Sequence, residues 1–91
     1  MTYIARQITF DGLVQGVGFR FTALNIASRC RLTGSVCNMP DGTVKMIAQG
    51  QQQDIEDCLQ DIKEEFSEYI KDTKIEEISY DPKYKNFKIT F

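Results

Sequence analysis

The 91-residue sequence predicts an α+β fold in which two helices cover one face of an antiparallel sheet. Three observations carry that expectation. Two stretches place apolar residues three and four positions apart, as one face of a helix requires. Other stretches alternate apolar and polar residues, or sit between strong turn signals, as strands do. Helical and extended stretches then follow one another as β-α-β-β-α-β, the order of a ferredoxin-like sandwich.

The first strand runs from Tyr3 to Phe10, where Ile4, Ile8 and Phe10 keep period two and Arg6 breaks it, and it ends at Asp11–Gly12. A glycine-rich loop follows. Phe19, Ala23, Ile26, Ala27 and Cys30 then mark the apolar stripe of a first helix. The segments "TGSVCN" (33–38) and "GTVKMIAQG" (42–50) flank "MPDG", and Asp41–Gly42 is a strong hairpin turn. Ile55, Cys58, Leu59, Ile62 and Phe66 form the stripe of a second helix, with Glu56, Asp57, Lys63 and Glu64 on its wet side. The charge-rich "TKIEEISYD" reads as an edge strand, short or irregular. "NFKITF" closes the chain with Phe87, Ile89 and Phe91 on one face. The expected core is Ile8, Phe10, Phe19, Ala27, Val36, Val44, Leu59, Ile62, Phe87 and Ile89, and residues 1–91 are expected to form one domain.

Composition narrows the function classes. A chain this short buries only roughly 60–65% of its unfolded surface and needs one compact core. The hydrophobic share of 42% is enough for such a core without disulfides. Eleven basic against thirteen acidic residues give a net charge of −2, which argues against a nucleic-acid partner. No apolar run is long enough to span a membrane, and the N-terminus lacks the layout of a signal peptide. Cys30, Cys37 and Cys58 are odd in number and fit no metal or disulfide spacing, so reduced thiols in the cytoplasm are expected. No apolar stripe is left over once the core is assigned, which favours a monomer. There is no histidine. The commonest general base and metal ligand is therefore missing, and any catalysis must use arginine, amides, carboxylates or backbone.

The stretch "GLVQGVGFRFT" (12–22) holds Gly12, Gly16 and Gly18 just ahead of Arg20. Glycines permit backbone angles that side chains forbid, and a helix start leaves amide N–H groups unpaired and partly positive. Tight geometry alone explains many such loops. Arg20, however, lies in the first helical turn, where a cation is locally unfavourable. A guanidinium held there is matched to an anion, and its planar fork fits a phosphate. Asn38, at the end of a strand, is by itself better explained by the turn that follows it. A β-α-β unit nevertheless returns the chain so that Asn38 can face Arg20, and an amide with both donor and acceptor suits orienting a water. Cys37 points to the opposite face by strand alternation. Asp11 and Asp41 are accounted for by solvation and turn chemistry.

The residues "GLVQGVGFR" followed by "LTGSVCNMPDGTV" closely resemble the acylphosphatase family, as do the spacing of Ala27, the glycine of "AQG" and the closing F-x-I-x-F. The resemblance implies the ferredoxin-like sandwich. It implies a phosphate-binding loop in which Gln15, Gly16, Val17, Gly18, Phe19 and Arg20 offer backbone N–H groups. It further implies that the Arg20 guanidinium binds the phosphate and that Asn38 orients the attacking water. Two departures stand out: the family often has glycine where Arg31 stands and an aromatic where Ser35 stands. Arg31 is thus expected in a left-handed cap, at a cost of about 1 kcal/mol.

The expected reaction is hydrolysis of an acyl phosphate to a carboxylate and inorganic phosphate, with the latter as product and inhibitor. The leaving group is a carboxylate whose acid has a pKa of about 4, so it departs unprotonated. Charge neutralisation and positioning then suffice, and neither metal nor cofactor is expected. Two other readings stay open. One is a non-catalytic anion-binding module of the same fold. The other is the acylphosphatase-like module of a hydrogenase-maturation carbamoyltransferase; those carry proline directly after the arginine, where this chain has Phe21. The chain closes at Phe91 with no linker, as a free-standing protein would. Nothing in the loop itself reads the acyl group.

Overall fold

A computed structural model describes residues 2–91. The elements are β1 (Ile4–Gly12), α1 (Phe19–Arg29), β2 (Thr33–Asn38), β3 (Val44–Gly50), α2 (Gln52–Glu65), β4 (Ile70–Ile78) and β5 (Phe87–Ile89). The strands form one five-stranded sheet in the order β4-β1-β3-β2-β5. β1 lies antiparallel to both β3 and β4, and β2 lies antiparallel to β3. Each helix therefore connects two parallel strands with a third strand between them. That interleaving is the ferredoxin-like sandwich.

Two details depart from the sequence reading. The charge-rich strand β4 is a full nine residues, whereas the closing strand β5 has three. β4 is long because the β1 backbone pairs with it from Ala5↔Ile78 to Gly12↔Ile70, and an edge strand needs only one such ladder. Its charges stay wet or pair locally, as Lys74 Nζ does with Glu76 at 3.2 Å. β5 runs parallel to β2, which makes the sheet mixed. The Arg6 break in β1 has a simple cause. Arg6 is held by Glu77 on the neighbouring strand at 2.8 Å and lies 3.8 Å from Glu56 on α2.

The core lies between the helices and the sheet. Ile8, Phe10, Phe19, Ala27, Val36, Val44, Ile62 and Phe87 are buried as expected, joined by Val14, Met46 and Ile55. Leu59 and Ile89 are only half-buried and pack against the margin of the core. Leu59 misses full burial because α2 meets the rest through Ile55, Cys58, Ile62 and, just beyond its end, Phe66, a narrower stripe than the periodicity predicted.

α1 ends as the sequence foretold. Arg31 has φ 61°, its N–H bonds to the Ser28 carbonyl, and the Leu32 N–H bonds to the Ala27 carbonyl. This is a Schellman cap with a non-glycine residue in the left-handed position. Gln49, 1% exposed, ties down the β4–β5 connection. Its amide donates to the Asp81 carbonyl and to the Thr33 hydroxyl, and its Oε1 accepts the Asp81 N–H at 2.7 Å. These bonds direct β5, and with it Ile89 and Phe91, to the end of the sheet where the glycine loop lies.

Candidate active site

The loop between β1 and α1 is shaped by two glycines. Gly16 and Gly18 have φ of 81° and 78°, and nothing lies within 4 Å of where a Cβ would stand at either. Backbone angle, not space, selects glycine there. Gly18 is the N-cap of α1, and its carbonyl accepts the Thr22 N–H at 3.1 Å. No side chain caps this helix and no acidic residue occupies its first turn. The amides of Phe19, Arg20 and Phe21 precede any i−4 carbonyl of the helix, so the end is open to an anion. Gly12 plays another part. It sits at a register break opposite Ile70, and a Cβ there would strike the Tyr69 backbone.

Phe19 anchors the helix start in the core, its ring centroid 4.9 Å from that of Phe10 and 4.6 Å from that of Phe66. Val17 packs against the margin of the core. Gln15 holds the loop to the β2–β3 hairpin, donating from Nε2 to the carbonyls of Met39 (2.9 Å) and Thr43 (3.0 Å). The hairpin is itself braced by Asp41, whose carboxylate accepts from the Thr43 hydroxyl at 2.6 Å and the Thr43 N–H at 3.0 Å. Those hydrogen bonds, the hydroxyl first, hold the Asp41 carboxyl below its usual pKa.

Arg20 and Asn38, 18 positions apart in the chain, line one cavity of about 200 Å³. Arg20 is half-buried, and among the described residues no carboxylate lies within ion-pair distance of it. Its guanidinium carbon lies 5.4 Å from the centroid of the Phe91 ring. Asn38 Oδ1 is buried and has no hydrogen-bond partner among the described residues. An orphaned buried acceptor carries a desolvation cost. Gly18 and Phe19 also line the cavity.

Cys37 does not line it. Its thiol sits 3.6 Å from the Met39 sulfur. Cys30 and Cys58 lie near each other, and burial, the largest cause, pushes both thiols up and away from the reactive thiolate form. Among the described residues no group of three or more Cys, Asp or Glu is placed to hold a metal ion. Nor is any helix long and apolar enough to cross a membrane.

Sequence reasoning missed the remaining walls. Val14, Phe21, Ile89 and Phe91 complete the cavity. A signal for one of them existed: Phe21 falls outside the α1 stripe of Phe19, Ala23, Ile26 and Ala27, so the core leaves its ring unused. No comparable signal marked the Gln15 side chain, whose partners lie 24 and 28 residues away.

The family model for acylphosphatases matches residues 6–89. The chain belongs to the acylphosphatase family. A curated acylphosphatase of Chlorobaculum tepidum is 38% identical over 90 residues, covering 98% of both chains. Shorter matches to curated acylphosphatases, at 50–54% identity, span 50–57% of those relatives' length. The crystal structure of acylphosphatase from Bacillus subtilis superposes with a TM-score of 0.88 at 30% identity, covering 97% of this chain and 99% of that one. Full-length HypF, crystallised in a phosphate- and nucleotide-bound form, contains a similar region. The likeness has a TM-score of 0.86 at 33% identity and covers 99% of this chain but 12% of HypF. The acylphosphatase family and its fold thus account for the whole described sheet and both helices.

Proposed function

We propose that the protein is an acylphosphatase: it hydrolyses the carboxyl–phosphate bond of acyl phosphates, releasing a carboxylate and inorganic phosphate. One observation carries this reading within a chain of that family. The open helix start, Arg20 and Asn38 meet at a single cavity.

The amides of Gln15 to Arg20 and the Arg20 guanidinium receive the phosphate oxygens, and Gln15 also holds this loop to the hairpin. The Asn38 side-chain amide hydrogen-bonds a water and aims its oxygen at phosphorus. The new P–O bond forms as the bond to the carboxylate oxygen breaks, and the carboxylate leaves with the electron pair. One water proton passes to solvent or to the product phosphate. No acid is required, since a leaving group whose conjugate acid has a pKa of about 4 departs as the anion. Charge neutralisation in a partly closed site and in-line positioning supply the catalysis.

Turnover of acetyl and benzoyl phosphate, followed in ¹⁸O-water, tests the reading. Label in inorganic phosphate and none in the carboxylate is expected. Phosphate binding without turnover would identify an anion-binding module instead, and label in the carboxylate would move the attack to the carbonyl carbon. The likeness to a 12% portion of HypF favours a second reading, a module of a larger protein; Phe21, where the carbamoyltransferase modules named above carry proline, supports the first. The reading includes action as a monomer in the cytoplasm, without a nucleic-acid partner. Three free cysteines and the net charge of −2 support it.

A further inference from the structure

We propose that the apolar wall beside the phosphate site selects the acyl group, so that aromatic and longer alkanoyl phosphates are taken in preference to acetyl or carbamoyl phosphate. The inference rests on the acyl phosphate reading above.

The cavity has two chemically distinct sides. Arg20 and Asn38 carry the only polar side chains among the residues that line it. The other side chains around it are apolar, those of Val14, Phe19, Phe21, Ile89 and Phe91. Phe21 is 70% exposed and Phe91 wholly so, and neither ring is used by the core. A lone exposed apolar residue is ordinary on any protein surface. Two aromatic rings converging on an anion site from separate elements, the first turn of α1 and the residues after β5, form a patch placed beside the chemistry.

In-line attack dictates where the acyl group goes. Water and leaving group stand on opposite sides of phosphorus, so the carboxylate and its substituent leave on the side away from the attacking water. Apart from Arg20 and Asn38, the side chains lining the cavity offer carbon only. An alkyl or aryl tail loses water contact favourably against such a wall. The amide of a carbamoyl group would lose hydrogen bonds that no side chain there replaces. The volume of about 200 Å³ lies below the roughly 300–1,000 Å³ of sites for drug-sized ligands, which fits a single ring or a short chain. For a half-open wall, affinity should rise about two- to threefold per added methylene.

The test separates this wall from the chemistry by using phosphonates, which bind without being hydrolysed. Calorimetric titration of methylphosphonate and benzylphosphonate should show benzylphosphonate binding about tenfold more tightly. In the F21S/F91S double variant that ratio should fall below about threefold, while F21W should keep it. Both rings are exposed, so the substitutions leave the core intact. Equal affinities in the unaltered protein, or an unchanged ratio in the double variant, would overturn the inference. Turnover of acetyl and benzoyl phosphate is measured beside it. A preserved binding ratio without turnover keeps the wall and sinks the hydrolase, and turnover without a ratio does the reverse.

Discussion

The side-chain amide of Gln15 donates a 2.9 Å hydrogen bond to the carbonyl of Met39, the residue that follows Asn38 at the end of β2. A second bond, to Thr43, clamps the far side of the same hairpin. The β1–α1 loop and the strand end that carries Asn38 are thereby held as one body. Removing the clamp with Gln15→Leu costs little stability, about 1 kcal/mol for exposed hydrogen bonds. Its effect on rate should be larger, since misplacement on the order of 1 Å can cost about a hundredfold. Expected is a kcat lowered about ten- to a hundredfold with phosphate inhibition changed much less, read by steady-state kinetics. An unchanged kcat would show that the loop and hairpin keep their register without the clamp.

Arg20→Gln should abolish most turnover and weaken phosphate inhibition together. A charge-assisted contact to the transition state is worth about 3 kcal/mol, or more than a hundredfold in rate. Stability should barely move. Relief of a cation at the helix start returns about 0.3–1 kcal/mol. Loss of the Phe91 contact takes back about 0.5–1 kcal/mol. Near-normal kcat in this variant would remove Arg20 from the mechanism.

Asn38→Ala should separate water from phosphate. In the proposed mechanism ground-state binding belongs to the amides and Arg20, whereas an aimed water matters only as the bond breaks. A fall in kcat of a hundredfold or more is expected with the phosphate inhibition constant within about threefold. The fold should not suffer, because the buried Oδ1 has no partner among the described residues to leave stranded. Parallel losses in both constants would assign Asn38 to holding phosphate.

Burial distinguishes two neighbours on α2. Ile62 is fully buried, and Ile62→Ala should cost about 2–5 kcal/mol. Leu59 is half-buried, and Leu59→Ala should cost about half as much. Urea melts of both variants check the order. Equal losses would mean that α2 is rotated about its axis from the orientation described.

Arg31→Gly offers a stabilising change. A non-glycine residue in the left-handed region bears about 1–2 kcal/mol of strain. Glycine returns part of that gain through the entropy of the unfolded chain, about 0.4–1 kcal/mol. The ion pair from Arg31 to Asp54 at 3.1 Å is also lost, but Arg31 is 80% exposed and such pairs contribute about 0–1 kcal/mol. The balance is a gain of a few tenths of a kcal/mol, raising Tm by a degree or more without altering kcat. A lower Tm would show that the ion pair outweighs the strain.

Local rules made much of this protein readable before any tertiary contact was known. Helical stripes, strand alternation and the Asp41–Gly42 turn depend on residues a few positions apart, whereas the left-handed cap at Arg31 was expected from the family's glycine there. The loop motif and Asn38 were legible through resemblance to a family whose spacing they share. Other features depend on which distant segments meet. Gln15 finds the hairpin, Gly12 avoids the Tyr69 backbone, and Phe21 and Phe91 close on Arg20 only once β5 has been laid beside β2. The same holds for strand length. β4 is long despite its charges because β1 offers it a continuous backbone ladder, and hydrogen bonds between strands are indifferent to the side chains on the wet face. Periodicity reports what each segment buries. It does not report which neighbour a segment buries it against, and the walls of a cavity are made of that choice.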